Sequence, residues 1–151
     1  MSDYIRYIRK KVGCDMIIMV GCGVFVYHGG KVLLQRRKDN GLWAIHGGGL
    51  DIGETTEDAA ARELLEETGL AAKKLELLGV FSGPDMAHTY PNGDQVYIVG
   101  VSYICQEFSG ELLAENDEVA ELRWFAVDDI PQDINPTDKR PMAAFVDWVK
   151  K

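Results

Sequence analysis

The chain has 151 residues, of which 46% are hydrophobic and 26% are charged, and its formal net charge at pH 7 is −8. This length and composition predict one domain over residues 1–151 with a proper hydrophobic core. The negative charge argues against stable binding to nucleic acid or to an anionic membrane surface, and no apolar stretch has the length of a transmembrane helix. The three cysteines lack metal-ligand spacing and favour reduced thiols in a cytoplasmic protein.

The N-terminal part of the chain predicts a short helix over residues 3–12, followed by an apolar run over residues 16–26. Basic residues ahead of an apolar run also occur in secretory signals, but no convincing cleavage site follows this run. The run passes through Gly29-Gly30 into a second apolar segment. Two strands joined by a hairpin are therefore the better interpretation.

The remaining segments predict a strand-rich chain with two further helices. Strands are expected at 16–27, 31–37, 43–46, 74–82, 94–106 and 119–126, helices at 55–68 and 138–150, and a turn at 127–130. Many strands with few helices favour an α/β (α+β) fold in which a mixed sheet lies between helices.

The predicted helix over residues 55–68 carries three carboxylates on one side. Glu63, Glu66 and Glu67 fall within an arc of about 100° when each residue turns the helix by about 100°. Three apolar residues point the other way and are expected to form the buried side: Ala61, Leu64 and Leu65. Arg62 is the only basic residue interleaved with the carboxylates, so a divalent cation is the simplest way to neutralise them. Ligation by oxygen alone favours Mg²⁺, Mn²⁺ or Ca²⁺ over Zn²⁺.

Local signals mark both ends of this helix. Thr55 is a candidate N-cap, and Gly69 occupies the place of a left-handed residue after the C-terminus. Ahead of the helix, the triplet 47–49 is all glycine and predicts a backbone turn that approaches the carboxylates without side-chain obstruction. A carbonyl oxygen from that turn is a candidate further metal ligand.

The residues from Gly48 to Leu70 resemble a complete Nudix box, the signature of the Nudix pyrophosphohydrolases. All nine fixed positions are present in this 23-residue segment: Gly48, then five residues, Glu54, then seven residues, then Arg62-Glu63-Leu64-x-Glu66-Glu67-x-Gly69-Leu70. The strand pattern around the box is also similar to that family, so the likeness extends over most of the chain.

This resemblance implies a Nudix-type α/β/α sandwich and hydrolysis of the diphosphate linkage in a nucleoside diphosphate derivative, with Mg²⁺ or Mn²⁺ as cofactor. The residues that match the family's metal ligands are Glu63, Glu66, Glu67 and, through its backbone carbonyl, Gly47. Arg62 and Glu54 match positions that support the catalytic site by orienting its loop and helix. The resemblance also makes a homodimer plausible.

The general base has two candidates. Family members take it from the box, which here points to Glu63, or from a later loop, which here is the segment 113–120. That loop contains Glu115, Asp117 and Glu118, and the spacing of Glu118 from the next strand resembles that of a later metal-binding or base glutamate in some relatives. A solvated acidic loop is the alternative.

Candidate substrate contacts lie in and beside the strands. Arg36 and Arg37 end a strand and point to opposite faces, so at most one reaches a phosphate directly. Three aromatic residues are candidates for stacking on a base or ribose, although packing against the sheet is the commoner role of such residues: Phe81, Tyr90 and Tyr97. His88 is expected at the surface of a hairpin loop.

Two positions depart from the commoner pattern of the family. His46 stands where a proline often precedes the glycines, and Asp51 stands where glutamate is frequent. His46 removes a restraint on φ and adds a titratable group beside the predicted metal loop, which would affect metal affinity or pH dependence. A tolerated loop substitution is the alternative.

The substrate is not specified by the box. ADP-ribose and other nucleotide sugars, dinucleoside polyphosphates and oxidised nucleoside triphosphates are all candidates. A noncatalytic module that senses a nucleotide is an alternative function, although the intact carboxylates of Glu63, Glu66 and Glu67 argue against it. Decapping of triphosphorylated RNA ends is a further alternative, which needs a basic path for the RNA and is disfavoured by the net charge of −8.

Overall fold

The computed structural model describes residues 2–113 and 116–151. Its helices are α1 (Asp3–Val12), α2 (Thr56–Thr68) and α3 (Lys139–Lys150). Its strands are β1 (Ile17–His28), β2 (Lys31–Arg37), β3 (Trp43–Ala44), β4 (His46–Gly49), β5 (Leu70–Phe81), β6 (Ala87–Thr89), β7 (Gln95–Gly110) and β8 (Val119–Ala126). In the described part of the chain, no helix is long and apolar enough to cross a membrane.

The strands form one mixed sheet. Its main path runs β3-β2-β1-β7-β5, while β4 pairs with β1, β6 with β7 and β8 with β2. β1 and β7 are parallel, and the other named pairs are antiparallel. The predicted hairpin between β1 and β2 is present, since Gly29 and Gly30 have φ values of 59° and 77°, as a tight turn between strands requires.

Helices α2 and α3 cover opposite faces of this sheet. Successive residues of β1 point to opposite sides, so each helix contacts alternate side chains of this strand. Val24 and Val26 pack with Leu64 of α2, whereas Phe25 packs with Phe145 of α3. The rings of Phe25 and Phe145 are stacked with their centroids 4.7 Å apart. Two helical layers around a mixed sheet confirm the predicted fold class.

The ends of α2 follow from its sequence. The Thr55 side chain accepts a hydrogen bond from the Asp58 backbone N–H at 3.0 Å, which satisfies one of the free donors of the first turn. Gly69 has a φ of 83°, and its N–H donates to the Leu65 carbonyl. The helix therefore begins and ends at the residues that hold its carboxylates in place beside the sheet.

Two predictions near the box are wrong. The triplet 47–49 belongs to β4, whose residues pair with Gly21 to Val24 of β1, and does not form a turn. The predicted buried side of α2 is correct for Leu64, which is fully buried, but wrong for Leu65, which is 52% exposed, whereas Glu63 and Glu67 are only 3% and 7% exposed. The cause is β4, which lies against the acidic side of α2 and shields two of its three carboxylates from water.

Candidate active site

The Glu67 carboxylate is held between two uncharged donors. The Gly47 backbone N–H donates to Oε1 and the Gln35 side-chain amide donates to Oε2, both at 2.7 Å. Burial raises the pKa of Glu67 to about 8, and the neighbouring charge of Glu63 adds to this effect. A carboxylate buried in this way gains stability from a positive charge placed beside it.

Glu63 lies against the backbone of β4. A Cβ atom added to Gly48 would fall 2.5 Å from Glu63 Oε1 and 2.7 Å from Oε2, so only glycine leaves room for this carboxylate. Burial raises the pKa of Glu63 as well. The glycines of β4 therefore allow two carboxylates to approach the backbone of the sheet.

Arg62 connects the carboxylates of the helix with those of the loop before it. Its Nε and Nη2 donate to Glu54 at 2.8 and 2.9 Å, and its Nη1 donates to Glu63 Oε1 at 2.8 Å. Nη2 also donates to the Gly49 carbonyl at 3.2 Å, and Glu66 lies 3.6 Å away. The hydrogen bonds from Arg62 lower the pKa of Glu54. This arrangement fixes Glu63 and Glu54 relative to each other.

Gln35 and His46 form a buried layer behind Glu67. His46 Nε2 lies 2.9 Å from the Leu33 carbonyl, so this nitrogen must carry the proton, and Nδ1 faces the Gln35 amide at 3.3 Å. Burial lowers the pKa of His46 to about 4. His46 is therefore neutral at neutral pH and supports Gln35 from behind.

The sequence reasoning missed Gln35. One signal was available: Gln35 follows three apolar residues, 32–34, in a strand whose residues 32–35 are all buried. A polar side chain inside such a run needs a buried partner. The partner is Glu67, which is 32 positions away in the sequence.

Asn116 fixes the loop that carries Glu118. Its Nδ2 donates to the carbonyls of Glu66 and Glu67 at 3.3 and 3.2 Å, and its Oδ1 accepts from the N–H groups of Glu118 and Val119, both at 2.9 Å. Glu118 is exposed, and it lines the same cavity as Glu63 and Glu67. The structure thus brings the later glutamate to the box. Asp117 also lines this cavity, while Glu115 lies outside the described residues.

Two cavities meet at β4. The larger has a volume of about 540 Å³ and is lined by Glu63 and Glu67 of α2 but not by Glu66, whereas the smaller has about 110 Å³ and lies toward α3. Both are lined by the same five residues at their junction: Met19, Arg37, Gly47, Gly48 and Tyr90. Gly47 therefore lies between the two cavities, whereas Glu63 and Glu67 line only the larger one.

The predicted substrate contacts divide between cavity and surface. Arg37 and Tyr90 line both cavities, and the Arg37 guanidinium is paired with Asp39 at 2.7 and 2.8 Å. Arg36 instead lies over the Trp43 ring and 3.5 Å from Glu121, away from both cavities.

The other predicted aromatic contacts are also displaced from the site. Phe81 lines neither cavity and packs under Arg140, and the Tyr97 hydroxyl accepts a bond from the Gly83 N–H. His88 is half-buried in β6, edge-on to the Tyr90 ring, so its predicted surface position is wrong. Pairing of β6 with β7 turns His88 inward.

Asp138 is a further polar residue that the sequence did not single out. It lines the smaller cavity with Asn135 and accepts a hydrogen bond from the Ile45 N–H at 3.2 Å. Burial raises the pKa of Asp138 to about 7. An aspartate directly before a helix is common as a helix start, so the local sequence did not indicate that Asp138 lines a cavity.

The site has the donors for a divalent cation but not a preformed cage. Among the residues that the structure describes, no group of three or more His, Cys, Asp or Glu side chains converges on one point closely enough to hold a metal ion. Both oxygens of Glu67 face donors from the protein, and one oxygen of Glu63 faces Arg62. The donors themselves are carboxylate oxygens, two of them from buried residues with raised pKa values, which fits a hard divalent cation.

Comparisons with known proteins agree with this geometry. The family model described as NUDIX domain matches residues 18–145. An ADP-ribose pyrophosphatase from Methanocaldococcus jannaschii is 35% identical over 135 residues, which cover 87% of this chain and 71% of the relative.

Solved structures show the same likeness. A MutT NUDIX hydrolase from Burkholderia pseudomallei superposes with a TM-score of 0.72 at 34% identity, over 85% of this chain and 98% of that chain. A MutT protein from Bacillus halodurans superposes with a TM-score of 0.71 at 26% identity, over 85% of this chain and 82% of that chain.

Proposed function

The chain belongs to the Nudix family and is a Nudix hydrolase, and on that premise we propose that it hydrolyses the diphosphate linkage of a nucleoside diphosphate derivative with Mg²⁺ or Mn²⁺. One observation carries the proposal. The buried carboxylates of Glu63 and Glu67 line the larger cavity beside Gly47 and Gly48, where it meets the smaller one, and a diphosphate with a group on either side would place its phosphates there.

The metal would be held by carboxylate oxygens of Glu63, Glu66 and Glu67, with the Gly47 carbonyl as a further ligand. When bound, such a metal offsets phosphate charge and lowers the pKa of a bound water. The chain's own contribution is to fix the ligands, because Arg62 orients Glu63 while Gln35 and the Gly47 N–H orient Glu67. Glu66 is half-exposed, lies 3.6 Å from Arg62 and lines neither cavity, so it would have to turn away from Arg62 to bind the metal.

For the general base we favour Glu118 over Glu63. Glu63 is buried against β4, and one of its oxygens is already occupied by a hydrogen bond from Arg62 at 2.8 Å, so it is poorly placed to reach a water in the cavity. Glu118 is exposed to the cavity on a loop that Asn116 fixes against α2, and it lies close enough to raise the pKa of Glu67. Its position suits a residue that takes a proton from water beside the diphosphate.

The two cavities favour a substrate with a second group beyond the diphosphate. A nucleoside in one cavity and a sugar in the other would place the linkage at Gly47 and Gly48. ADP-ribose and other nucleotide sugars have this form, and the relative from Methanocaldococcus jannaschii is named ADP-ribose pyrophosphatase. We therefore place these substrates ahead of oxidised nucleoside triphosphates and dinucleoside polyphosphates.

Turnover of a substrate panel tests this proposal. The panel contains ADP-ribose, UDP-glucose, diadenosine polyphosphates and 8-oxo-dGTP, each with Mg²⁺, with Mn²⁺ and with EDTA, and the products are identified by mass. We expect selective cleavage of a nucleotide sugar into two phosphorylated products, and loss of turnover in EDTA. Undiminished turnover in EDTA would contradict the metal-dependent mechanism, and selective cleavage of 8-oxo-dGTP would contradict the proposed substrate.

A further inference from the structure

Helix α1 contributes to the catalytic cavity although it precedes residue 18, where the family match begins. Ser2, Ile5 and Arg9 line the same cavity as Glu63 and Glu67. Ser2 and Ile5 are 1% and 7% exposed, so this end of the helix is firmly packed. The wall of the cavity on this side is therefore built by residues outside the matched domain.

The beginning of α1 is attached beside the acidic helix. The Tyr4 N–H donates to Asp51 Oδ1 at 2.9 Å, and Asp51 belongs to the loop that leads into α2. Ile5 and Ser2 pack against Gly49 of β4, where an added Cβ would meet Ile5 Cγ1 at 3.2 Å and Ser2 Cβ at 3.4 Å. This end of α1 is thus fixed to the strand that also contacts Glu63 and Glu67.

The other end of α1 is attached to the hairpin between β6 and β7 through Arg9. Its Nη2 donates to the Gln95 carbonyl at 2.6 Å, and its Nε lies 3.7 Å from Asp94. Its Nη1 donates to the carbonyls of Gly13 and Asp15 at 3.0 and 2.7 Å. Since these donors are directed at groups of the protein, Arg9 is suited to hold the wall together rather than to bind a phosphate.

The hairpin tip that Arg9 holds is itself part of the cavity. Tyr90, Pro91, Asn92 and Asp94 all line it. The tip is closed by bonds from the Tyr90 N–H to the Asp94 carbonyl at 2.8 Å and from the Gly93 N–H to the Tyr90 carbonyl at 2.9 Å. Arg9 therefore sets the distance between the hairpin tip and the carboxylates of α2.

The chemistry of this wall suits a neutral polyhydroxyl group. The exposed Asn92 and the half-buried Tyr90 lie there beside the buried apolar side chains of Ile5 and Val96, a mixture that suits the hydroxyls and CH faces of a sugar. Arg9 is paired with Asp94 and Arg37 with Asp39, so these cations are already partly neutralised. The acidic residues that also line the cavity would repel a further phosphate: Asp117, Glu118, Glu63 and Glu67.

We propose that α1 and the hairpin tip 90–94 form the specificity-determining wall for the sugar on the far side of the diphosphate, with Arg9 as the positioning residue. This inference rests on the proposed function. Loss of Arg9 releases the hairpin tip and weakens binding of the sugar half of the substrate. Arg9 lines only the larger cavity, and of the tip residues only Tyr90 also lines the smaller one, so binding of the nucleoside half and the chemical step should change much less.

Inhibition by the two product halves tests the proposal. Wild type, Arg9→Ala and the control Arg6→Ala, whose side chain is 62% exposed on the same helix, are assayed with ADP-ribose and with AMP or ribose 5-phosphate as inhibitor. For Arg9→Ala we expect KM and the inhibition constant of ribose 5-phosphate to rise about tenfold, since a lost positioning contact of about 1.4 kcal/mol gives that factor. The inhibition constant of AMP and kcat should stay within about twofold of wild type.

The outcomes separate the two proposals. Wild type that cleaves no nucleoside diphosphate derivative contradicts the proposed function. If wild type is active, equal changes for both inhibitors, or no difference between Arg9→Ala and Arg6→Ala, overturn the role of α1. Should Arg9→Ala not fold, Arg9→Lys is assayed in its place. Lysine keeps the charge but cannot reach all three carbonyls, so the inhibition constant of ribose 5-phosphate should rise selectively, but by less than in Arg9→Ala.

Discussion

Replacement of Arg62 by lysine keeps the positive charge of the site but removes the planar group that connects its carboxylates. Arg62 makes hydrogen bonds to Glu54 at 2.8 and 2.9 Å, to Glu63 at 2.8 Å and to the Gly49 carbonyl at 3.2 Å. A lysine ammonium at this position would retain at most one or two of them, because its donors leave a single nitrogen atom.

The size of the effect follows from these contacts. A hydrogen bond to a charged group contributes roughly 1.5–3 kcal/mol when it is shielded from water. The Arg62 side chain is 28% exposed, so we take about 1–1.5 kcal/mol for each of the two or three bonds lost. The free energy of unfolding should fall by about 3 kcal/mol, which lowers the Tm by roughly 6–12 °C in a chain of this size.

Thermal unfolding of Arg62→Lys, followed by circular dichroism, measures this loss. Arg140→Lys is the matched control, because Arg140 also makes a two-pronged contact with one carboxylate, Asp85, with both bonds at 2.9 Å. That pair is 44% and 50% exposed, so its loss should lower the Tm by no more than about 4 °C. Equal shifts in the two variants would refute the idea that Arg62 is the structural centre of the acidic site.

Three further substitutions test other parts of the site. Burial raises the pKa of Asp138, which lines the smaller cavity with Arg37 and His88, to about 7, so the folded protein binds this proton more tightly than the unfolded chain. Wild type should therefore lose up to about 4 kcal/mol of unfolding free energy relative to Asp138→Asn as the pH rises from about 4 to about 7. Urea unfolding at several pH values measures this difference, and a difference that does not change with pH would count against the prediction. Gly48→Ala should lower kcat/KM at least about tenfold, since its Cβ must displace Glu63; wild-type turnover in this variant would show that the position of Glu63 is unimportant. Asn116→Ala should lower kcat about tenfold with little change in KM, because the loop of Glu118 loses its attachment to α2. The double variant Asn116→Ala/Glu118→Gln should have the same kcat as Glu118→Gln alone. A kcat reduced by the product of the two single effects would show that Asn116 does not act through Glu118.

The sequence predicted those features whose causes are local. The caps of α2 at Thr55 and Gly69 and the turn at Gly29-Gly30 are set by residues at the point where the chain bends, and the structure contains all of them. The apolar run over residues 16–26 likewise predicted the first strand, which the structure contains as β1. The spacing of the fixed residues between Gly48 and Leu70 was likewise sufficient to show the resemblance to the Nudix box.

Features that depend on distant partners were not predictable in the same way. The glycines 47–49 have the local character of a turn, and they form a strand only because β1 supplies its partner more than twenty residues earlier. Glu63 and Glu67 are buried because β4 covers them, whereas a rule that turns charges toward water exposes them and buries Leu65. The choice of Arg37 over Arg36 depends on which face of β2 borders the cavity. The single domain, the homodimer and the cytoplasmic location stay predictions. Light scattering would test the homodimer.

Metal binding to the buried carboxylates is the central claim, and calorimetric titration with Mn²⁺ tests it most directly. Wild type is compared with Glu67→Gln and with Glu57→Gln, which removes an exposed carboxylate from the first turn of the same helix. We expect Glu67→Gln to bind Mn²⁺ at least about tenfold more weakly than wild type, because one charged ligand is lost, while Glu57→Gln binds as wild type does. Equal affinity in all three proteins would contradict the assignment of the metal to the Glu63, Glu66 and Glu67 cluster.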